Sequence, residues 1–236
     1  MQKGLGTEND RRRGGNQKSS WFNSSKGATT RTGSGEVSMI RVKICGITNL
    51  RDAVAAADAG ADAVGFVFAE SPRRVGVDAA RKMSRKLPAF LHKVGVFYNA
   101  LPADVAMIAR AAGLTWVQLH GDESKADARA IPFPSVKMFA VSAGNVVERV
   151  RRWGDPLVLL EAGKVGGSGK SFDWTIARKV GKVARVIVAG GLRPDNVREA
   201  IRIAHPFAVD VASGVESHVG KKDARLVRRF IEEARR

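Results

Sequence analysis

The chain has 236 residues, 44% of them hydrophobic, and its 40 basic and 23 acidic side chains give a formal net charge of +17. This length suits one α/β barrel, and a single cysteine, Cys45, excludes a disulfide within the chain. No apolar run approaches the ~20 residues of a membrane helix and no secretory signal is visible, so we expect a cytoplasmic protein without a membrane partner.

The first 38 residues differ in composition from the rest of the chain. They are rich in Gly, Ser, Asn, Thr, Arg and Lys and contain few aliphatic side chains. Such a segment buries too little apolar surface to offset the entropy of ordering it, so we expect residues 1–38 to be disordered. The alternatives are a basic interaction tail, a degenerate transit peptide (which Glu8 and Asp10 make less fitting), or translation that begins at Met39.

From residue 40 onward, short β-branched runs alternate with amphipathic stretches of helical period. We predict strands over 40–45, 63–68, 93–97, 115–120, 135–141, 157–161, 185–189 and 207–211. We predict helices over about 49–59, 102–112, 146–153, 174–180 and 223–234. A further helix starts near residue 78, another follows a cap at Asp122, and a third has Pro194 in its first turn and ends near residue 203.

Eight strand–helix units in residues 39–236 predict a single (β/α)₈ TIM barrel. Strands buried on both faces are expected to be continuous apolar runs, as these are. A doubly wound open sheet of eight strands is the alternative. The barrel is preferred because the number of units fits and because residues capable of chemistry follow the C-terminal ends of most strands.

The positive charge by itself would suit a nucleic-acid-binding protein. Most basic residues, however, fall in the predicted helices, whose outer faces are solvated in an α/β barrel. We therefore expect a generally basic surface without specific nucleic-acid binding, and such a surface attracts phosphorylated small molecules.

Glycine-rich turns follow the last three strands, six to eight. Glycine lets backbone N–H groups approach an anion closely, and α/β barrels commonly bind phosphate in the loops after strands seven and eight. Tight turns without a ligand are the usual alternative for one such loop, but three at the same end of a barrel predict a phosphate site. The residues assigned to it are Gly167, Ser168, Gly169, Gly190, Gly191, Ser213 and Gly214.

Three further side chains stand at strand ends, where a barrel carries its active site. Cys45 ends strand one and is either a buried packing residue or, with a lowered pKa, a thiolate base. His120 follows strand four and is either a core histidine or part of a pocket. Asp210 lies in the apolar eighth strand, where a carboxylate needs a partner or a ligand.

Seven motifs follow the strands in order. They are KICGIT at 43–48, GFVF at 65–68 with SPRRV at 71–75, VGVFYN at 94–99, VQLHGDE at 117–123, LLE at 159–161 with GGSGKSFDW at 166–174, AGGL at 189–192 and VDVASGVE at 209–216. In order and spacing this series resembles the phosphoribosylanthranilate isomerase family across residues 39–236. Each motif alone is weak evidence, whereas seven in register are specific.

The resemblance implies roles for individual residues. Cys45 would be the general base, and Glu161 the general acid at a position where the family generally carries aspartate. Arg73 would anchor the anthranilate carboxylate, because a guanidinium fork binds a carboxylate with two hydrogen bonds. A solvated loop arginine is the alternative for Arg73, and Arg74 could take its place. Asp210 would contact the ribose hydroxyls and His120 would line the pocket.

The resemblance also implies the reaction, an Amadori rearrangement of N-(5-phosphoribosyl)anthranilate in tryptophan biosynthesis, with no cofactor and no metal. The expected partner is a small phosphorylated substrate, and the oligomeric state is open between monomer and homodimer. Two alternatives remain. One is another ribulose-phosphate-type barrel, such as an epimerase or an indole-glycerol-phosphate synthase-like enzyme; the other is a basic nucleic-acid-binding protein without catalysis.

Overall fold

A computed structural model describes residues 39–163 and 171–236. Its strands are β1 Arg41–Ile44, β2 Ala63–Val67, β3 His92–Phe97, β4 Trp116–Leu119, β5 Ser135–Ala140, β6 Leu157–Glu161, β7 Arg185–Val188 and β8 Ala208–Val211. The helices between and after them are α1 Leu50–Asp58, α2 Val77–Ser84, α3 Pro102–Ala112, α4 Lys125–Ala130, α5 Val146–Trp153, α6 Trp174–Val180, α7 Val197–Ala204 and α8 Ala224–Arg235. The prediction for residues 1–38 concerns a segment outside the described residues.

The eight strands close into a parallel barrel in sequence order. β1 pairs with β8 from Arg41 against Ala208 to Ile44 against Val211, so the sheet has no open edge at this point. The predicted TIM barrel is therefore confirmed, and the open doubly wound sheet is excluded.

Small side chains allow the outer helices to lie close to the barrel. Ala53 and Ala56 of α1, Ala109 of α3 and Ala177 of α6 are fully buried in the main hydrophobic core. A smaller cluster, formed by Val136, Met138, Ala140, Leu159 and Ala189, involves β5, β6 and the residue after β7. The core between helices and sheet fixes the barrel, and the barrel places the strand ends around a common mouth.

Two helix starts differ from the sequence-based prediction. Helix α4 is capped by Ser124, whose hydroxyl accepts from the Asp127 N–H while the Asp127 carboxylate accepts from the Ser124 N–H. Asp122 is therefore not the cap, because the reciprocal capping box forms two residues later. Pro194 lies in a turn before α7 rather than in the helix, which begins after Asn196.

A short hairpin follows the eighth strand. A 3₁₀ turn over Ser213–Val215 leads into β9, Glu216–His218, which pairs antiparallel with β10, Lys221–Lys222. The backbone N–H of Lys222 donates to Asp52 of α1 at 2.7 Å, and the Thr48 hydroxyl donates to the Gly220 carbonyl. The hairpin is thus tied to the loop after β1, which fixes the position of Glu216.

Candidate active site

A cavity of about 690 Å³ opens among the loops at the C-terminal ends of the strands. Most of the residues singled out from the sequence line this cavity. They are Cys45, Arg73, His120, Glu161, Gly190, Gly191, Asp210 and Ser213. Residues from six different strands or the loops after them therefore meet in one space, as the strand-end pattern predicts.

Cys45 stands directly after β1 and is 9% exposed. Two residues earlier, the Lys43 ammonium lies 2.7 Å from Asp210 Oδ2, in an ion pair whose side chains are each 7% exposed. Parallel pairing of β1 with β8 sets Lys43 opposite Asp210, which makes this contact possible. The sequence analysis did not assign a role to Lys43, although a lysine within an apolar strand is a signal that could have identified it.

The charges around Cys45 act in opposite directions on its thiol. Burial raises the pKa of Cys45, and the Lys43 ammonium opposes this increase, whereas the Asp210 carboxylate adds to it. Burial alone would lower the pKa of Lys43, but attraction to Asp210 and to Cys45 outweighs burial and raises it. Lys43 therefore stays protonated beside the thiol.

Gly65 of β2 leaves the space that the thiol occupies. A Cβ atom at this position would lie 2.6 Å from Cys45 Sγ and 3.2 Å from Lys43 Cε. Real Cβ atoms do not approach a sulfur atom so closely, so any larger residue at position 65 displaces the thiol. Gly65 belongs to the GFVF motif, but its part in making room for the thiol depends on a contact between neighbouring segments of the barrel and was not predicted.

Arg73 is buried on the loop after β2 and faces the cavity, whereas Arg74 is exposed. The Nε and Nη2 atoms of Arg73 each lie 2.8 Å from an oxygen of Glu216, so the two side chains form a bidentate ion pair. The hydrogen bonds that Arg73 donates to Glu216 raise the pKa of Arg73. The alternative of a solvated Arg73 is therefore wrong, whereas the choice of Arg73 over Arg74 as the carboxylate anchor stays a prediction.

Glu216 holds a second cation, because the Lys222 ammonium lies 2.8 Å from its Oε1 and 3.0 Å from the Ala212 carbonyl. Burial would raise the pKa of Glu216, but hydrogen bonds from Arg73 and Lys222 outweigh burial and lower it. Two cations thus share one carboxylate, leaving one positive charge in excess beside the cavity. Sequence analysis missed both Glu216 and Lys222, since the hairpin that joins them was not predicted.

Glu161 ends β6 and is 4% exposed. Its Oε2 lies 3.2 Å from His120 Nε2, and His120 Nδ1 in turn lies 3.1 Å from the Gln118 amide nitrogen. We assign the ring proton to Nε2, because Nδ1 accepts from the Gln118 amide. The contact between His120 Nε2 and Glu161 is a short distance without hydrogen-bond geometry in this structure. Gln118, a buried polar residue in an apolar strand, is a further residue that sequence analysis did not identify.

Two of the glycine-rich loops lie within the described residues. Gly190 and Gly191 have φ values of +83° and +66°, a left-handed conformation that favours glycine. A Cβ atom on Gly214 would lie 1.9 Å from the Leu192 carbonyl oxygen, so the loops after β7 and β8 touch at that glycine. Gly167, Ser168 and Gly169, the other predicted phosphate-binding residues, lie outside the described residues.

Across the described part of the chain, no group of three or more His, Cys, Asp or Glu side chains is arranged to hold a metal ion. In the same residues, no helix is long and apolar enough to span a bilayer.

Asp210 lines the cavity, and its buried Oδ1 atom has no hydrogen-bond partner among the described residues. A buried acceptor without a partner suits a ligand hydroxyl.

A family model described as "N-(5'phosphoribosyl)anthranilate (PRA) isomerase" matches residues 42–233. The N-(5'-phosphoribosyl)anthranilate isomerase of Rubrobacter xylanophilus is 44% identical over 205 residues, covering 84% of this chain and all of that protein. The enzyme of the same name from Trichlorobacter lovleyi is 46% identical over 202 residues, covering 84% of this chain and 98% of that protein.

Solved structures agree with these relatives. The crystal structure of phosphoribosyl anthranilate isomerase from Thermotoga maritima has a TM-score of 0.79 and 44% identity, over 83% of this chain and 98% of that chain. A phosphoribosyl anthranilate isomerase solved with reduced 1-(o-carboxyphenylamino)-1-deoxyribulose 5-phosphate has a TM-score of 0.75 and 41% identity, over 83% and 98% of the two chains.

Proposed function

Because the chain belongs to the phosphoribosylanthranilate isomerase family, we propose that its cavity isomerises N-(5-phosphoribosyl)anthranilate with Cys45 as base and Glu161 as acid. The product is 1-(2-carboxyphenylamino)-1-deoxyribulose 5-phosphate, and the reaction is a step of tryptophan biosynthesis. The observation that carries the assignment of roles is that a thiol and a carboxyl, from opposite sides of the barrel, line one cavity together with two glycine loops.

The first step is opening of the furanose ring. Glu161 gives its proton to the ring oxygen, the bond from that oxygen to C1 breaks, and the anthranilate nitrogen lone pair forms the Schiff base. The Glu161 carboxylate that results lies 3.2 Å from His120 Nε2. The positive end of an N–H dipole at this distance stabilises the developing charge electrostatically, which is the kind of interaction that lowers a barrier.

The second step removes the C2 proton. The Cys45 thiolate takes it, and the electrons of the C–H bond form the C1–C2 double bond of an enolamine while the iminium nitrogen becomes neutral. Protonation at C1 and loss of the C2 hydroxyl proton then give the aminoketone. One group must begin protonated and the other deprotonated at the same pH, which requires different surroundings for the two.

Substrate binding uses groups remote from the reacting carbons. Arg73, with Glu216 on one side of its guanidinium, keeps N–H groups for the anthranilate carboxylate, and Asp210 Oδ1 suits a ribose hydroxyl. The phosphate is assigned to backbone N–H groups of the loops that contain Gly190, Gly191, Ser213 and Gly214, with Gly167, Ser168 and Gly169 as further expected members. Binding energy from these contacts orients the sugar between acid and base.

The decisive test is turnover of phosphoribosylanthranilate by the purified chain in the presence of EDTA. Full activity is expected, since the proposed acid and base need no metal. Loss of activity that a divalent ion restores would contradict the proposal. A chain that turns over ribulose 5-phosphate or an indole-glycerol-phosphate precursor instead would be a different barrel enzyme, and salt-dependent binding of nucleic acid without turnover would favour the non-catalytic alternative.

A further inference from the structure

Lys43 is a buried charged residue between two apolar residues of β1. It is 6% exposed, between Val42 and Ile44, which are almost completely buried. A buried ammonium is costly unless it is paired, and Lys43 has one carboxylate partner, Asp210 Oδ2 at 2.7 Å. An ion pair of this kind adds little stability over two apolar residues, so its place at the mouth of the barrel points to another use.

The lysine and the thiol share one small volume. The position of a Cβ atom on Gly65 is 2.6 Å from Cys45 Sγ and 3.2 Å from Lys43 Cε, so both side chains pack over this glycine. The ammonium is therefore close enough for its positive charge to act on the thiol. No other residue type at position 65 would leave this arrangement intact.

Charged groups face the thiol from four elements. They are Lys43 from β1, Asp210 from β8, Lys222 from β10, and Arg73 from the loop after β2. Three are cations and one is an anion, and Glu216 offsets one of the cations through its contacts with Arg73 and Lys222. A local excess of positive charge is the surrounding in which reactive cysteines are found.

We propose that Lys43 is a positioning residue that makes the thiolate form of Cys45 accessible, while Asp210 holds the ammonium beside the sulfur. The inference deepens the proposed function, because it explains how a buried thiol acts as a base. Burial raises the pKa of Cys45, and the Lys43 ammonium offsets part of that increase. Removing the ammonium therefore makes the thiolate harder to form.

The test is the pH dependence of alkylation by iodoacetamide, followed by mass spectrometry. Only the thiolate displaces iodide, and because Cys45 is the single cysteine of the chain, the reaction reports on this residue alone. In Lys43→Met the midpoint of alkylation should move upward by about 1–3 pH units, the effect of losing an adjacent opposite charge. An unchanged or lower midpoint would overturn the proposal.

Lys93 provides a matched control. It is also a buried lysine on a barrel strand, at the start of β3, but its ammonium donates to the Pro88 carbonyl at 2.7 Å. Lys93→Met makes the same chemical change away from the thiol, so the midpoint of alkylation should equal that of the unmodified protein. A shift as large as that in Lys43→Met would show a general effect of losing charge, and the inference would fail.

A second comparison avoids leaving Asp210 buried and unpaired, which could prevent Lys43→Met from folding. Asp210→Asn and the double variant Lys43→Met with Asp210→Asn both lack the carboxylate and differ only in the ammonium. The midpoint of the double variant should lie above that of Asp210→Asn. Equal midpoints would overturn the inference even if the single Lys43 variant cannot be purified.

These outcomes are separable from those for the catalytic role of Cys45. If the midpoints shift as expected but Cys45→Ser retains turnover, the electrostatic pairing stands and the base has been assigned wrongly. If Cys45→Ser loses turnover while the midpoints do not move, the role of Cys45 stands and the inference about Lys43 fails.

Discussion

At the scale of single residues, the site depends on how neighbours adjust groups that are unreactive in water. A free thiol with a pKa near 8.5 is mostly protonated at neutral pH, and burial makes the thiolate of Cys45 still less favourable. The ammonium of Lys43, itself fixed by Asp210, acts against that burial. The pKa of Cys45 therefore depends on three side chains and not on the cysteine alone.

Replacing the thiol tests the base directly. Cys45→Ser keeps the size of the side chain but offers a hydroxyl whose pKa is far too high for proton abstraction. Turnover should fall by at least the ~10²-fold typical of losing an acid–base group, while the thermal unfolding midpoint should change little. Steady-state kinetics and a melting curve measure both quantities, and retained turnover would identify Cys45 as a packing residue.

Glu161 is the position at which this chain departs from the aspartate expected of the family. Its carboxyl reaches His120 at 3.2 Å, and Glu161→Asp should withdraw it by about one methylene, a displacement that can cost ~10²-fold in turnover. We therefore expect lower turnover for Glu161→Asp. Higher turnover would show that glutamate is a poor substitute in this site.

Glu161→Gln serves as the control for the chemistry at this position. The amide keeps the shape of the side chain and has no ionisable proton, so ring opening should nearly stop. Native turnover in this variant would refute the role of Glu161 as acid, and Asp210 would become the next candidate.

At the scale of elements, neighbouring strands and loops decide where these side chains can be. β2 contributes a glycine under the thiol, and the β9–β10 hairpin contributes the carboxylate that fixes Arg73. Both contacts join segments far apart in sequence, and parallel pairing around the barrel brings them together. The active site is therefore sensitive to changes in elements that carry no reacting group.

Gly65→Ala tests this dependence in β2. The new methyl would lie 2.6 Å from Cys45 Sγ, so the thiol must move, and turnover should fall by roughly 10-fold or more, within the ~10²-fold that misplacement by 1 Å can cost. Gly76→Ala is the control, because a Cβ atom there meets no heavy atom within 4 Å. Its turnover should match that of the unmodified protein, and equal kinetics for both variants would contradict the role of Gly65.

The capping box of α4 makes a prediction about stability. Ser124→Ala removes the side-chain acceptor for the Asp127 N–H and should lower the free energy of unfolding by about 1 kcal/mol. Ser124→Asn keeps an acceptor and should stay close to the unmodified protein. Urea denaturation of the three proteins measures the difference, and a neutral Ser124→Ala would show that the cap contributes nothing measurable.

At the scale of the whole molecule, charge is arranged differently inside and outside the barrel. Two ion pairs, Lys43 with Asp210 and Lys137 with Glu123, are buried in the barrel, whereas the formal charge of the chain is +17. The substrate of this family carries a phosphate and a carboxylate. A basic surface attracts such a molecule over distance, while the paired interior sets its orientation after arrival.

Removing residues 1–38 tests the organisation of the chain. The described strands begin at Arg41, and β1 pairs directly with β8, so a chain starting at Met39 should fold and turn over substrate normally. Solubility, melting temperature and turnover compared with the full chain are the measurements. An insoluble or much less active truncated protein would show that the N-terminal segment contributes to the barrel.

The sequence by itself determined the fold class, the bounds of most elements and the family. Apolar period distinguishes strand from helix locally, and residues at strand ends converge in any barrel, so Cys45, His120 and Asp210 were singled out without coordinates. The family resemblance added Arg73 and Glu161. Local chemistry was less informative at helix starts, where Asp122 was predicted as the cap of α4 and the backbone path makes Ser124 the cap instead.

Only the tertiary structure decided which groups adjust those residues. The pairing of Lys43 with Asp210, the space that Gly65 leaves for the thiol, and the sharing of Glu216 by Arg73 and Lys222 all join distant parts of the chain. Periodicity carries no information about such contacts, because they depend on strand register and on how a loop returns across the barrel mouth. The sequence therefore predicts the reacting groups, and closure of the barrel determines their electrostatic surroundings.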